Sequence, residues 1–365
     1  MCAESPCPEG TRTMWPDTRL CDLLGIEHPI LLAPMAGTTT PALAAAVSNA
    51  GGLGGHGCAT MPLERLRAHL DEISTLTNRG VNLNFFCHTE TDITPEHHAA
   101  LLEALAPHYA AAGVAPPEAM PDRPYDSFGP EHLEILLAHP PAVASFHFGL
   151  PDADAVAALK EAGVRILSTA TTVAEARWLA ERGADAIIAQ GWEAGGHRGV
   201  FLDVEHDAQV GLAALVPQIV DAVDAPVIAA GGIADGRGIA AAFALGASGV
   251  QIGTAFLTAE EAADKPHHFA STRAGVDDST RISRAVSGRP ARGHRTGWLD
   301  AMADVPPAPF PLMYHYTKPL IAADSDTHHF SLYGQSAALA PAGPAAERLA
   351  ALVEDAARAF ARLCG

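Results

Sequence analysis

The chain has no excess of basic charge: 23 Lys and Arg face 42 Asp and Glu, a formal net charge of −19. Nucleic-acid backbones bind Lys/Arg-rich faces, so nucleic acid is excluded as a partner. One small phosphate is not excluded, because backbone N–H groups at loops and helix N-termini can hold it locally. Long apolar runs are also missing. None nears the roughly 20 residues of a membrane helix, so no membrane association is expected. The first 28 residues show no basic stretch followed by an apolar one. No secretory signal is read there, and a cytoplasmic location is expected. The six cysteines, Cys2, Cys7, Cys21, Cys58, Cys87 and Cys364, form no CxxC pair and no dense framework. They read as free thiols of a reducing compartment, with Cys87 placed where it could line a pocket. The His pairs 97–98, 267–268 and 328–329 have no HExxH-type spacing, so no metal is expected and they read as surface histidines. A GxSxG elbow and a strand–GxGxxG–helix unit are both absent, which removes the usual hydrolase and Rossmann readings.

What is present is a rhythm. A short apolar run, a Gly- or Pro-marked turn and an Ala-rich helical stretch recur along the 365 residues. Strands are expected at 29–33, 52–54, 81–84, 143–146, 165–168, 185–189, 226–230 and 249–252. Their near-continuous apolar character suits parallel strands buried on both faces. Helices are expected at 41–49, 62–77, 95–112, 152–161, 173–182, 208–223 and 236–245, several opening at Pro and ending at Gly. Eight such units point to a (β/α)8 TIM barrel over residues 18–257; an open doubly wound sheet is the rival. Two stretches break the pattern. Residues 114–141 read as an insertion at the barrel rim. Residues 258–365 read as a mostly helical elaboration over the barrel mouth, with a closing helix from Pro344.

Barrel active sites form where the strands end. The first strand runs into Ala33-Pro34-Met35-Ala36, where small residues admit a flat ligand, or simply make a tight turn with a core Met. The third ends at Asn84, whose amide both donates and accepts; it could equally bond a loop backbone. The sixth runs into Gln190-Gly-Trp-Glu-Ala-Gly195-Gly196-His197-Arg-Gly. Four glycines let backbone pass close to a ligand. His197 has no periodicity to explain it, and imidazole is the side chain suited to proton transfer near neutral pH. After the seventh come Gly231-Gly232 and after the eighth Gln251, Gly253 and Thr254, the two loops that commonly build a phosphate site in this fold.

Taken together, ILLAPMAG, VNLNFF, DAIIAQGWEAGGHRG, PVIAAGGIADG and GVQIGTAFL resemble the nitronate monooxygenase family, over about residues 20–260. SGRPAR and YGQS resemble its C-terminal elements more weakly. The resemblance implies a TIM barrel with non-covalent FMN, held by the residues 33–36, Asn84, Gln190, Gly195, Gly196, Gly231, Gly232, Gln251, Gly253 and Thr254. It casts His197 as catalytic base or substrate-orienting group, and makes Tyr314, Tyr316 and Lys318 substrate-site candidates. His147 ends the fourth strand at the same mouth and is also read as a substrate contact. The implied reaction oxidises alkyl nitronates, with nitroalkanes as a second class, using O2 and yielding carbonyl compounds and nitrite. The implied assembly is a monomer or homodimer. FMN-dependent, NAD(P)H-using enoyl-acyl-carrier-protein or quinone reductases share the barrel and the EAGGH loop and remain the alternative. A non-redox phosphate-binding barrel is a further one.

Overall fold

The expected apolar runs form eight parallel strands in a computed structural model that describes residues 14–206 and 208–364. The strands are β1 (Ile30–Leu32), β2 (Gly54–Gly57), β3 (Val81–Phe86), β4 (Val143–His147), β5 (Arg165–Ala170), β6 (Ala186–Gln190), and, after a two-residue β7 (Gly196–His197), β8 (Val227–Ala230) and β9 (Gly249–Ile252). They pair in the order β1-β9-β8-β6-β5-β4-β3-β2. A parallel bridge between Leu31 and Leu53 joins the two ends, with Leu32 N–H donating to the Leu53 carbonyl at 2.9 Å. The sheet is therefore closed, and the fold is a TIM barrel.

Alternate residues face inward, as strand geometry requires. Leu31, Leu53, Val143, Leu167, Ile188 and Ile228 pack inside the barrel, and Leu20 and Leu24 of α1 (Arg19–Leu24) close its lower end. Their neighbours Ile30, Leu32, Leu83, Phe85, Ile187 and Val250 join the larger cluster under the helices. Those helices are α2 (Pro41–Asn49), α3 (Leu63–Leu76), α4 (Pro95–Ala112), α5 (Pro130–Ala138), α6 (Ala153–Glu161), α7 (Val173–Glu181), α8 (Leu212–Val220) and α9 (Gly236–Ala244). Thr40, Thr94, Asp152, Thr172 and Asp235 cap five of them through their side-chain oxygens, the usual way orphan N–H groups of a first turn are satisfied.

One assignment from sequence is corrected. The third βα unit was read as helix 95–112 followed by a rim insertion at 114–141. Instead α5, within that stretch, is the wall helix: Ile135 and Leu136 are fully buried in the main core, between α3 and α6. Helix α4 leaves the wall. Its Leu101, Leu105 and Tyr109 build a second core with Trp298, Leu299, Met313, Tyr316 and Leu320. Both helices have an apolar stripe, so periodicity alone could not say which stripe meets the barrel.

The segment after β9 combines α10 (Pro266–Arg273), α11 (Gly297–Ala301), α12 (Met313–Ala323), α13 (Ser325–His328) and α14 (Ala345–Cys364) with strands β10 (Thr280–Ser283) and β11 (Ala291–His294). β11 pairs antiparallel with both β10 and β7, tying this segment to the loop that carries His197. Helix α14 packs on α9, and the approach is close: a Cβ on Gly236 would lie 2.0 Å from the Asp355 carbonyl carbon. Among the described residues no helix is long and apolar enough to cross a membrane. Cys21, Cys58 and Cys87 are free thiols. Cys2, Cys7 and the Cys364 side chain lie outside the described set. His328 and His329, read as surface, are buried.

Candidate active site

At the C-terminal ends of the strands opens a cavity of about 530 Å³, within the usual range of small-molecule sites. Residues 33–36, Asn84, His147, Gln190, Gly195, Gly196, His197, Gly231, Gly232, Gln251, Gly253, Thr254, Tyr314 and Lys318 all line it. Tyr316 does not. Residues 314 and 318 are one turn apart on α12 and share a face, whereas 316 points the other way. Tyr316 is fully buried in the second core, with its hydroxyl 2.6 Å from His98 Nδ1. The family resemblance had offered all three as substrate-site candidates; the helical period separates Tyr316 from the other two. Cys87 also stays outside the cavity lining, and burial pushes its thiol far up.

The loop after β6 is held rigidly. Gln190 spends both ends of its amide on it: Nε2 donates to the His197 carbonyl at 2.9 Å and Oε1 accepts from Gly199 N–H at 2.8 Å. Glu193 accepts the Leu212 N–H at 2.9 Å and so caps α8. Its carboxylate is structural. Arg198, buried, donates to the carbonyls of Gln190 and Gly191. From the far segment, Arg292 donates to the Trp192 carbonyl at 2.9 Å, and Arg289 to that of Val200 at 2.7 Å. The YGQS turn locks the same loop: Gln335 N–H bonds the Glu193 carbonyl, and Gly334 N–H bonds Thr254 Oγ1. There the two backbones touch. A Cβ on Gly195 would lie 2.5 Å from Gly334 N.

The chemistry sits beside this loop. His147 Nε2 lies 3.0 Å from the His197 carbonyl, and Nδ1 lies 3.0 Å from Thr169 Oγ1. A carbonyl only accepts, so His147 carries its proton on Nε2 and is neutral. His197 Nε2 is 2.9 Å from Ser287 Oγ. The Tyr314 hydroxyl lies beside both Ser287 and Tyr125, so a row of hydroxyls runs from the rim to His197. Burial pushes His197 down to about 3, with repulsion from His147 and Arg289 adding to it. Burial likewise pushes His147 down to about 4. Arg289 is buried against the faces of Phe148 and Phe310, 4.1 and 5.7 Å from their ring centres.

Two further features define what can bind. The chain carries 42 carboxylates, yet none among the described residues lines the cavity, while Lys265 and Lys318 do. And Gln251 Oε1 is buried without a hydrogen-bond partner; such an atom is costly unless a ligand donor meets it. Sequence reasoning missed Tyr125, Thr169, Lys265, Ser287 and Arg289. The SGRPAR stretch was noticed as a motif, but nothing local says that its Ser and first Arg reach β7.

A family model described as nitronate monooxygenase matches residues 17–355. The chain belongs to the nitronate monooxygenase family. It is 45% identical over 346 residues to a nitronate monooxygenase of Pseudomonas aeruginosa, covering 92% of this chain and 98% of the relative. It is 43% identical to the one of Paraburkholderia phytofirmans, covering 92% and 94%. Among solved structures it is similar to a nitroalkane oxidase from Streptomyces ansochromogenes, with a TM-score of 0.85, 37% identity and coverage of 94% and 99%. It is also similar to FabK from Thermotoga maritima, with a TM-score of 0.71, 29% identity and coverage of 95% and 98%. The family makes the chain an oxidoreductase.

Proposed function

We propose that the chain is an FMN-dependent enzyme that oxidises alkyl nitronates with O2 to carbonyl compounds and nitrite. The observation that carries this reading is the cavity's charge: among the described residues no carboxylate lines it, while two lysines and the neutral imidazoles of His147 and His197 do, in a strongly acidic chain. Such a lining favours anions, and a nitronate is an anion whose carbon α to nitrogen is electron-rich.

The residues fit a flavin nucleotide. Gly231-Gly232 and Gly253-Thr254 would receive the phosphate through backbone N–H groups and the Thr254 hydroxyl, which accepts from Gly334 N–H and keeps its own proton to donate. A Cβ on Gly196, at φ 78°, would meet nothing within 4 Å, so backbone faces open space there. Gln251 Oε1 would receive an N–H or hydroxyl of the ligand. FMN, when bound, supplies the electron acceptor. The chain's own groups bind, orient and exclude water.

His197 is assigned chiefly to orientation. A group pushed down to about 3 is a feeble base, and general-base help works best when the pKa lies near the working pH. A nitronate arrives already deprotonated and needs no such help. A neutral nitroalkane does, so it should turn over far more slowly. His197 Nδ1, unbonded among the described residues, and the Lys318 ammonium are the groups that would meet the nitro oxygens.

The visible spectrum of the purified protein tests the reading first: flavin bands with released FMN support it, and a colourless protein that takes up no flavin rejects it. The likeness to FabK supports a second reading, an FMN-dependent reductase using NAD(P)H. Anaerobic mixing with NADH separates the two, since rapid flavin bleaching belongs to the reductase.

A further inference from the structure

We propose that Lys265 is the anchor for an oxyanion, a phosphate or a carboxylate, on a ligand held in this cavity. Lys265 follows Glu260, Glu261 and Asp264, yet among the described residues its ammonium bonds Thr38 and none of the three. Glu261 instead accepts the Ala345 N–H at 3.0 Å and serves the start of α14. The Lys265 ammonium lines the cavity, where no carboxylate of the described residues is present. Its one hydrogen bond within the described residues is to Thr38 Oγ1, at 3.2 Å. Burial alone acts on its basicity, and lowers it.

An ammonium half withdrawn from water, with no counter-ion among the described residues, is unfavourable. Three acidic neighbours in sequence could have met it at the surface, so the inward turn calls for an anion inside. The backbone leaves the room: Gly37, at φ 68° in the turn after β1, would place a Cβ 3.3 Å from Nζ. Thr38 fixes the side of the cavity. It follows β1, whereas His147 ends β4, with two strands between them in one direction and four in the other. Lys265 and the His197 end therefore face each other across the mouth, and the oxyanion belongs to the part of the ligand remote from the reacting carbon.

This inference rests on the proposed function for one of its sources, the flavin phosphate; the other is an acidic tail on the substrate. Three probes are applied to the wild type, Lys265→Met and Lys265→Arg. The first is the shift in melting temperature caused by inorganic phosphate. The second is the affinity of the flavin-stripped protein for FMN relative to riboflavin, read by fluorescence quenching. The third is kcat/KM for a nitronate bearing a carboxylate relative to an uncharged nitronate of equal chain length. A charge-assisted hydrogen bond is worth about tenfold or more in binding. Lys265→Met should therefore lose about tenfold in the FMN preference or in the carboxylate preference, and the ratio that falls names the source. Lys265→Arg should keep most of it. Thr38→Val tests whether the pair is only a strut; if it reproduces the Lys265→Met losses, the proposal is overturned. It is also overturned if Lys265→Met matches the wild type in all three probes. The phosphate-induced shift stays readable even if the protein binds no flavin and oxidises no nitronate, so the two readings fail separately.

Discussion

His147 Nε2 donates to the backbone carbonyl of His197 across 3.0 Å. The strand that ends β4 thus holds the loop that presents the candidate reactive histidine, and it does so with a neutral ring whose Nδ1 accepts from Thr169. Removing that donor leaves the Thr169 hydroxyl without its partner and the His197 carbonyl with Gln190 alone. His147→Leu should cost about 1–3 kcal/mol in urea denaturation and lower turnover by loosening the loop. His147→Gln, which keeps an N–H donor, should recover part of both.

Four buried histidines stay neutral in the fold. Burial pushes His56, His88 and His147 down to about 4 and His197 to about 3. Above the ordinary imidazole value, near 6.5, neither the folded nor the unfolded chain protonates them, and they cause no pH dependence. Below it the unfolded chain takes up protons that the folded chain refuses, so the unfolded state gains. Stability should therefore fall between about pH 6.5 and 4, with proton uptake on unfolding by these four imidazoles and by the others that burial also lowers. Urea midpoints measured across that window check the sign. A midpoint that is flat or rises on acidification would contradict it.

The two tyrosines of α12 should behave oppositely. Tyr314→Phe breaks the hydroxyl line between Tyr125 and Ser287 and should lower kcat/KM by roughly 3- to 10-fold with little effect on stability. Tyr316→Phe removes the bond to His98 and should cost about 1 kcal/mol of stability with kcat/KM unchanged. Steady-state kinetics and thermal melts on the pair decide it.

Most of the barrel was legible because buried parallel strands are written as short apolar runs between Gly and Pro. The strand-end groups followed, since the fold puts them at one mouth. Two things were not legible. The choice between α4 and α5 as the wall helix depends on which partner covers each stripe, and that partner lies some 200 residues away in sequence. The roles of Ser287, Arg289 and Lys265 depend on how an irregular segment folds back on β7 and β1, for which no local periodicity exists. Tyr316 failed for a simpler reason: the resemblance named three neighbouring candidates without saying which face of the helix each would take.

Backbone contact between Gly195 and Gly334 predicts a sharp effect from one methyl. Gly195→Ala would place carbon 2.5 Å from Gly334 N and from the Tyr333 carbonyl carbon. Neither is a flexible side-chain end, so the EAGG loop and the YGQS turn must part. Flavin content should fall, with a stability cost of about 1–3 kcal/mol. An unchanged flavin-to-protein ratio would show that the loop tolerates the shift.

The most direct test of the central claim is oxygen consumption by the purified protein, with nitrite followed in parallel, on ethyl nitronate and on nitroethane, each with and without NADH. The account expects rapid uptake and nitrite release with the nitronate, independent of NADH, and far slower turnover of nitroethane. His197→Asn should lower turnover of both substrates by loosening their orientation and deepen that gap only a little, because an imidazole pushed down to about 3 gives little base assistance. Uptake that requires NADH and ignores the nitronate would contradict it.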